Sequence, residues 1–195
     1  MTIKNRVRSV INQSALPVDF PTHAHESELW ECLGRTVATF GFLEEVLLKA
    51  IFAFTATTEY SEAEIEEAYS KWVPKIERSL SEQLGALIDT YGKSVRDNSN
   101  ATIENLDDLL NNLREASKIR NVLCHGSWRM PNSNGASLPF FVNRQAEVFE
   151  TPIDVSFLNQ VQKHAVGLIC AVINTVTYMG WQFPSSNGPG EAVWS

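Results

Sequence analysis

The sequence predicts an all-α domain: a helical bundle of four to five helices, with a small β-hairpin or meander inserted at about 127–152. Apolar residues recur at three- and four-residue steps along several long segments, which is typical of amphipathic helices. Between 127 and 152 the pattern changes to short apolar runs separated by Pro-Asn-Ser-Asn-Gly and Asn-Arg, which favour turns. A chain of 195 residues fits one domain with a substantial core. We therefore predict an N-terminal arm (1–26), one helical domain (27–182) and a flexible tail (183–195).

The first half of the domain contains two of these helical segments. The first runs over about 28–54, and its apolar residues follow the helical repeat throughout. The second begins at Ser61, with Glu64 three residues later as a capping box, and extends over about 61–91. Pro74 predicts an interruption near its own position, because proline lacks an N–H and clashes with the preceding turn.

The second half contains the other two helical segments, after a polar loop at 97–100. One runs over about 102–124 and is stopped by Gly126. The last runs over about 155–179, with Gly180 as its C-cap. The apolar stretch in this last segment contains several polar residues and continues a helical repeat, so we interpret it as a core helix rather than a membrane span.

Composition and charge narrow the function classes. The formal net charge is −7, which argues against binding nucleic acid through the whole surface, so any RNA contact requires a local basic patch. The chain has three cysteines, Cys32, Cys124 and Cys170, which are far apart and include no Cys-x-x-Cys pair. This pattern supports neither a disulfide framework nor a zinc ribbon, and a reducing cytoplasm is the simplest compartment. The N-terminal residues lack the apolar run of a signal peptide.

Two charged residues fall inside apolar stripes. On a helical wheel of about 100° per residue, Arg120 lies near the middle of the stripe that contains Leu113 and Ala116. Glu44 lies in the same way among the apolar residues of the first helix. An unpaired buried charge is very costly, so we expect the two to pair. The pair either fixes the helix register or holds Arg120 in position at a site between helices.

A polar row lies on the adjoining flank of the same helix. Arg114, Lys118, Asn121 and His125 follow at four- and three-residue steps and lead to the helix end, where the row converges with Arg120. Such a row is most often a solvated face, and the convergence is what indicates a site.

Residues 120–126 read Arg-Asn-Val-Leu-Cys-His-Gly. This motif resembles that of the HEPN superfamily, in which an arginine and a histidine four to six residues later close a long helix of a helical bundle. Arg120, Asn121 and His125 match that pattern, with four intervening residues. The resemblance covers about 28–180. Some HEPN toxins carry a modifiable tyrosine two residues after the histidine, and Ser127 stands there in this chain.

The resemblance implies a metal-independent endoribonuclease that needs no cofactor. RNA cleavage by its own 2′-hydroxyl requires a base, an acid and a cation for the developing charge. Histidine can serve as base or acid near neutral pH, and arginine clamps phosphate oxygens. Arg120, His125 and Asn121 are the predicted catalytic residues, supported by Glu44, with Arg114, Lys118 and Arg129 binding substrate.

The family also implies a biological setting. One chain supplies one motif histidine. The resemblance implies a homodimer, in which the motifs of the two chains together form one composite site. Isolated HEPN ribonucleases are typically toxins or antiviral defence effectors held inactive by an antitoxin or another regulatory partner. We expect an RNA substrate and no membrane association.

Several other interpretations stay open. A non-catalytic HEPN-like module would use the same fold for dimerisation or for binding nucleotides or proteins. A protein-binding adaptor would use Trp128, Phe140 and Phe141, which we expect to be exposed.

Three further features have simple structural interpretations. We expect Cys124 to pack in the core rather than to act with His125, because neighbouring helical residues point about 100° apart. His23 and His25, followed by Glu26, are expected to be solvated rather than metal-bound. His164 is expected to be a helix-flank or core residue.

Overall fold

The computed structural model describes residues 9–188 and confirms the all-α fold class. Within this range the helices are a short 3-10 turn (Gln13–Ala15), α1 (Ser27–Ala56), α2 (Ile65–Ser79), α3 (Leu84–Asp97), α4 (Leu106–His125) and α5 (Val155–Thr177). The predicted bounds of the first and last long helices are accurate to within two residues at each end. None of the described helices is long and apolar enough to cross a membrane.

The core lies between α1 and its neighbours. α1 packs most extensively against α5 and then against α3, and it buries Phe40, Leu43 and Leu47 completely. Polar contacts also join these helices: the buried Tyr91 hydroxyl on α3 hydrogen-bonds the Thr175 hydroxyl on α5 at 2.9 Å. Burial raises the pKa of Tyr91 to about 12, and the hydrogen bond with Thr175 opposes this to a smaller extent.

The predicted second helix is two helices, and its break is not at Pro74. Pro74 lies inside α2, which continues to Ser79, and the chain then turns before α3 begins at Leu84. In this turn the Ser81 hydroxyl hydrogen-bonds the Arg78 carbonyl at 3.0 Å. A serine that satisfies a carbonyl of the last helical turn competes with continued helix, which explains a break here. At the predicted capping box, the Glu64 carboxylate accepts from the Ser61 backbone N–H at 3.2 Å, but the helix starts later, at Ile65.

The helix that carries the motif begins four residues later than predicted, at Leu106 instead of Thr102. Asn105, immediately before it, has φ 58°, in the left-handed region that asparagine tolerates better than most residues. A residue in this conformation interrupts an α-helix, so a helix over 102–104 could not continue through Asn105, and α4 begins after it.

The predicted strands of 127–152 are not regular strands. The described chain contains three isolated antiparallel bridges here, Ser127 with Phe140, Ser137 with Ile153, and Val142 with Val148. Pro139 stands beside the first bridge and has no N–H to donate, which prevents the ladder from continuing through it.

The packed body extends further toward the C-terminus than predicted. Phe183 is buried in the core, so the packed body continues through this residue, where the sequence placed the start of a tail. Residues 1–8 and 189–195, which include most of the predicted tail, lie outside the described residues.

Candidate functional site

The expected pair between Glu44 and Arg120 is present. Arg120 Nη2 on α4 donates to Glu44 Oε1 on α1 at 3.1 Å. The two side chains keep 25% and 26% of their exposure, so the pair is only partly buried. Neighbouring positions on α4, Leu113 and Ala116, are buried, which leaves Arg120 at the edge of the core rather than within it. The guanidinium therefore has both a carboxylate partner and access to solvent.

The motif ends where α4 ends, at a close contact around Gly126. His125 is the last residue of α4 and is exposed, and the N–H of Gly126 closes the helix on the Val122 carbonyl at 2.8 Å. A Cβ at position 126 would lie 2.6 Å from that carbonyl oxygen and 2.9 Å from Pro139 Cβ, so the close approach requires glycine.

Arg120 and His125 both line one open cleft of about 1480 Å³. Its walls are the start of α3, the second half of α4, the segment 141–149, and one face of α5. Asn121 also lines it, so the three predicted catalytic residues share one cavity. The segment 141–149 belongs to the predicted insertion, which thus contributes a wall of the cleft.

The three predicted substrate-binding cations differ in whether they line the cleft. Lys118 lines the cleft, and its Nζ lies 2.6 Å from a Glu115 carboxylate oxygen. Arg114 is not among the lining residues, and its Nη2 bonds Asp89 at 2.8 Å. Arg129 also lies outside the lining, with its guanidinium carbon 4.9 Å from the centre of the Phe140 ring. Lys118 alone of the three predicted substrate-binding cations therefore lines this cleft.

The sequence did not predict that His164 and Arg144 line the cleft. His164 is exposed on the flank of α5, which is one of the two positions expected for it, and it lines the cleft from there. Its spacing from Phe157, Gln160 and Val161, which line the same wall, is the signal that could have revealed it. Arg144 lines the cleft from a turn and had no comparable signal, because a loop has no periodicity.

The cleft is less acidic than the chain as a whole. Its charged lining residues, histidines aside, are three acids and three bases, which cancel, whereas the chain carries −7. They are Asp89, Glu115, Glu147, Lys118, Arg120 and Arg144. Protonation of His125 or His164 would make the cleft positive, and a positive cleft attracts phosphate.

Several other expectations need correction. Cys124 is exposed rather than packed in the core, and it is not part of the cleft lining. Trp128 and Phe141 are half-buried, and of the three proposed adaptor aromatics Phe140 alone is exposed. These aromatic side chains do not form the open surface that a protein-binding adaptor would use.

His25 is packed rather than solvated. Its ring meets Trp30 and Trp128 edge to face, with centroids 5.2 Å and 6.4 Å away. Neither ring nitrogen has a hydrogen-bond partner within the described residues. Burial lowers the pKa of His25, and the nearby Arg129 backbone opposes this to a smaller extent.

Within 9–188 no three His, Cys, Asp or Glu side chains are grouped so that they could hold a metal ion. Comparisons of the chain with protein-family models, with curated proteins and with solved structures find no significant match.

Proposed function

We propose that this protein is a metal-independent endoribonuclease of the HEPN type, which cleaves RNA by attack of a 2′-hydroxyl on the adjacent phosphate. The observation that carries the proposal is that Arg120 and His125 line one open cleft at the end of α4, with Arg120 held by Glu44. A structural ion pair alone has no need of a cleft or of an exposed histidine beside it.

Each residue has a role that suits its chemistry. Arg120 is always charged and binds the phosphate oxygens as negative charge develops on them. His125 transfers a proton, since imidazole can act as acid or base near neutral pH. Asn121 can donate an amide hydrogen bond to a phosphate or ribose oxygen. Glu44 positions the Arg120 guanidinium from outside the cleft.

The reaction needs a second proton-transfer group. The resemblance implies a homodimer in which a second copy supplies it, and a residue of the same chain is the other source. The resemblance also supports a cytoplasmic toxin or antiviral defence effector, inhibited by an antitoxin or regulatory partner.

The direct test is RNA cleavage. Purified protein is incubated with total RNA in excess EDTA, beside His125→Ala and a control, His23→Gln, whose residue lies in the N-terminal arm. We expect the wild type and the control to leave 2′,3′-cyclic phosphate ends, and His125→Ala to lose at least about 100-fold in rate. A folded wild-type protein that cleaves no RNA would contradict the proposal.

The RNA contact has a separate test in charge reversal. Lys118→Glu should weaken RNA binding and reduce the salt slope by about one unit per lost phosphate contact. Lys71→Glu is the matched control, because Lys71 is also an exposed lysine paired with a glutamate of its own helix, and α2 contributes nothing to the cleft lining. Equal salt slopes for both variants would remove Lys118 from the binding surface.

The alternative function is a non-catalytic module with the same cleft. The observation that favours it is the pairing of Lys118 with Glu115, which offsets a cation of the cleft. Such a module would bind a nucleotide or RNA without cleaving it, and His125→Ala would leave that binding unchanged.

A further inference from the structure

Three extended segments lie side by side just after the motif helix. The middle segment, 137–142, is bridged to 127–129 on one side and to 148–153 on the other. Its two bridges to the third segment share one antiparallel register, and the hydrogen bond from the Phe149 N–H to the Phe141 carbonyl fits the same register. Successive side chains of an extended segment point to opposite sides, so the three segments together have two faces.

One of these faces is exposed and mostly apolar. Along the middle segment Leu138, Phe140 and Val142 are exposed, whereas Ser137 and Pro139, which alternate with them, are buried. Phe140 is the one aromatic residue of the three segments that lies on this exposed side. We call it the outward face, and all its residues are exposed: Ser127, Arg129, Leu138, Phe140, Val142, Val148, Glu150 and Pro152.

The two charges of the outward face stand on opposite sides of its apolar centre. By the register of the bridges, Arg129 on the first segment lies opposite Leu138, and Glu150 on the third segment lies opposite Phe140. The Arg129 guanidinium carbon is 4.9 Å from the centre of the Phe140 ring, which confirms that both side chains project on this side. The middle segment separates Arg129 from Glu150, and neither forms a salt bridge with a residue of 9–188.

We propose that the outward face binds the outward face of a second copy of this chain. A two-fold interface requires a patch that is complementary to itself. The midpoint between Arg129 and Glu150 falls on the middle segment, between Leu138 and Phe140. A two-fold axis that lies in the plane of the face and passes through this point brings Arg129 of each copy to Glu150 of the other.

The resulting interface has the composition that protein interfaces require. Leu138 and Phe140 of both copies form an apolar centre, and the two ion pairs flank it as a polar rim. A different partner would need neither equal numbers of the two charges nor their placement about one point. This self-complementarity is what favours a second copy as the occupant of the face.

The proposed interface borders the cleft. Val142 and Val148, at one end of the outward face, also belong to the cleft lining, together with Arg120 and His125. A second copy on this face therefore stands at the edge of the cleft. The inference goes beyond the proposed function, because association of two copies is measured without RNA.

The outward face is small for a permanent dimer. Three segments spaced by about 4.8 Å, with a rise of about 3.3 Å per residue, give it a footprint of roughly 300 Å². Each partner of a standard interface buries about 800 Å². We therefore expect a reversible dimer whose population rises with protein concentration.

The first test is sedimentation velocity of the full chain from about 10 μM to about 1 mM. Phe140→Glu places a charge at the apolar centre and should raise the dimer Kd at least about 10-fold. Phe42→Glu is the matched control, because Phe42 on α1 and Phe140 are both 49% exposed. The control should dimerise like the wild type.

Two results of this test would overturn the proposal. One is a wild type that stays monomeric over the whole range. The other is a dimer that Phe42→Glu weakens and Phe140→Glu leaves unchanged, since the interface would then lie on α1.

The second test exchanges the two charges between copies. Arg129→Glu leaves two acids on the outward face and Glu150→Arg leaves two bases, so each variant repels its own copies and should raise the dimer Kd at least about 10-fold. An equimolar mixture should dimerise with the wild-type Kd, because an acid meets a base at both contacts. Both residues are exposed, so each variant should melt at the wild-type temperature. A mixture of the two folded variants that remains monomeric would refute the pairing of Arg129 with Glu150.

The interface and the proposed function fail separately. If the wild type dimerises through the outward face and cleaves no RNA, the interface stands and the ribonuclease proposal fails. If it cleaves RNA and stays monomeric, the ribonuclease proposal stands and the interface is wrong.

Discussion

Replacement of Arg120 by alanine separates a structural ion pair from a catalytic cation, because the two roles predict different losses. The variant removes the guanidinium that bonds Glu44 and leaves that carboxylate without its partner. Glu44→Gln makes the complementary change: it removes the negative charge, keeps an oxygen acceptor, and leaves Arg120 in the cleft. A double-mutant cycle over the two positions isolates their interaction energy.

The stability cost follows from the burial of the pair. An exposed ion pair contributes about 0–1 kcal/mol, and removing one partner of a fully buried pair costs about 3–5 kcal/mol. With the two side chains at 25% and 26% exposure and one hydrogen bond of 3.1 Å, we expect about 1–2 kcal/mol for either variant. For a domain of this size that lowers Tm by about 2–8 °C. Glu31→Gln, in an exposed pair with Arg35 on α1, should change stability by less than about 1 kcal/mol.

The catalytic cost is separate and larger. Loss of a group that stabilises developing charge lowers kcat by about 10²–10³. We expect that loss for Arg120→Ala and a much smaller one for Glu44→Gln, which retains the cation. The assays are urea unfolding and RNA cleavage at a temperature well below both melting points. If Arg120→Ala unfolds more easily but cleaves RNA at the wild-type rate, the pair is structural and the assignment of Arg120 is refuted.

Two further predictions concern stability. Because burial lowers the pKa of His25 below its ordinary 6.5, the folded state takes up fewer protons than the unfolded state as pH falls below that value. Stability should therefore fall on acidification, and urea midpoints should show a smaller fall for His25→Phe than for His23→Gln; equal falls would contradict the burial argument. Gly92→Ala should cost about 1–3 kcal/mol, because its Cβ would lie 2.7 Å from a Leu110 methyl carbon. Gly41→Ala, in open space on α1, should instead stabilise by about 0.5–1 kcal/mol; thermal melts that rank the two glycine variants equally would contradict the packing argument.

The sequence was most informative where a pattern is long. α1 and α5 were predicted almost completely, because a buried stripe repeated over 23 to 30 residues leaves few alternatives to a helix. It was less informative at single residues. Pro74 did not end its helix, because a local preference of a few kcal/mol or less is easily overridden by the rest of the fold. Asn105 delayed the start of α4, because its left-handed backbone conformation interrupts a helix and leaves no mark on the apolar repeat.

The sequence by itself determined the helical class and the pairing of Glu44 with Arg120, because a charge inside an apolar stripe must find a partner near the core. The tertiary structure alone placed His164 and Arg144 in the cleft with His125, and kept Arg114 and Arg129 out of its lining. The physical reason is that the walls of the cleft come from segments far apart in the chain. Which side chains share a cavity depends on how helices and loops pack against one another, and a periodicity along one segment carries no record of that packing.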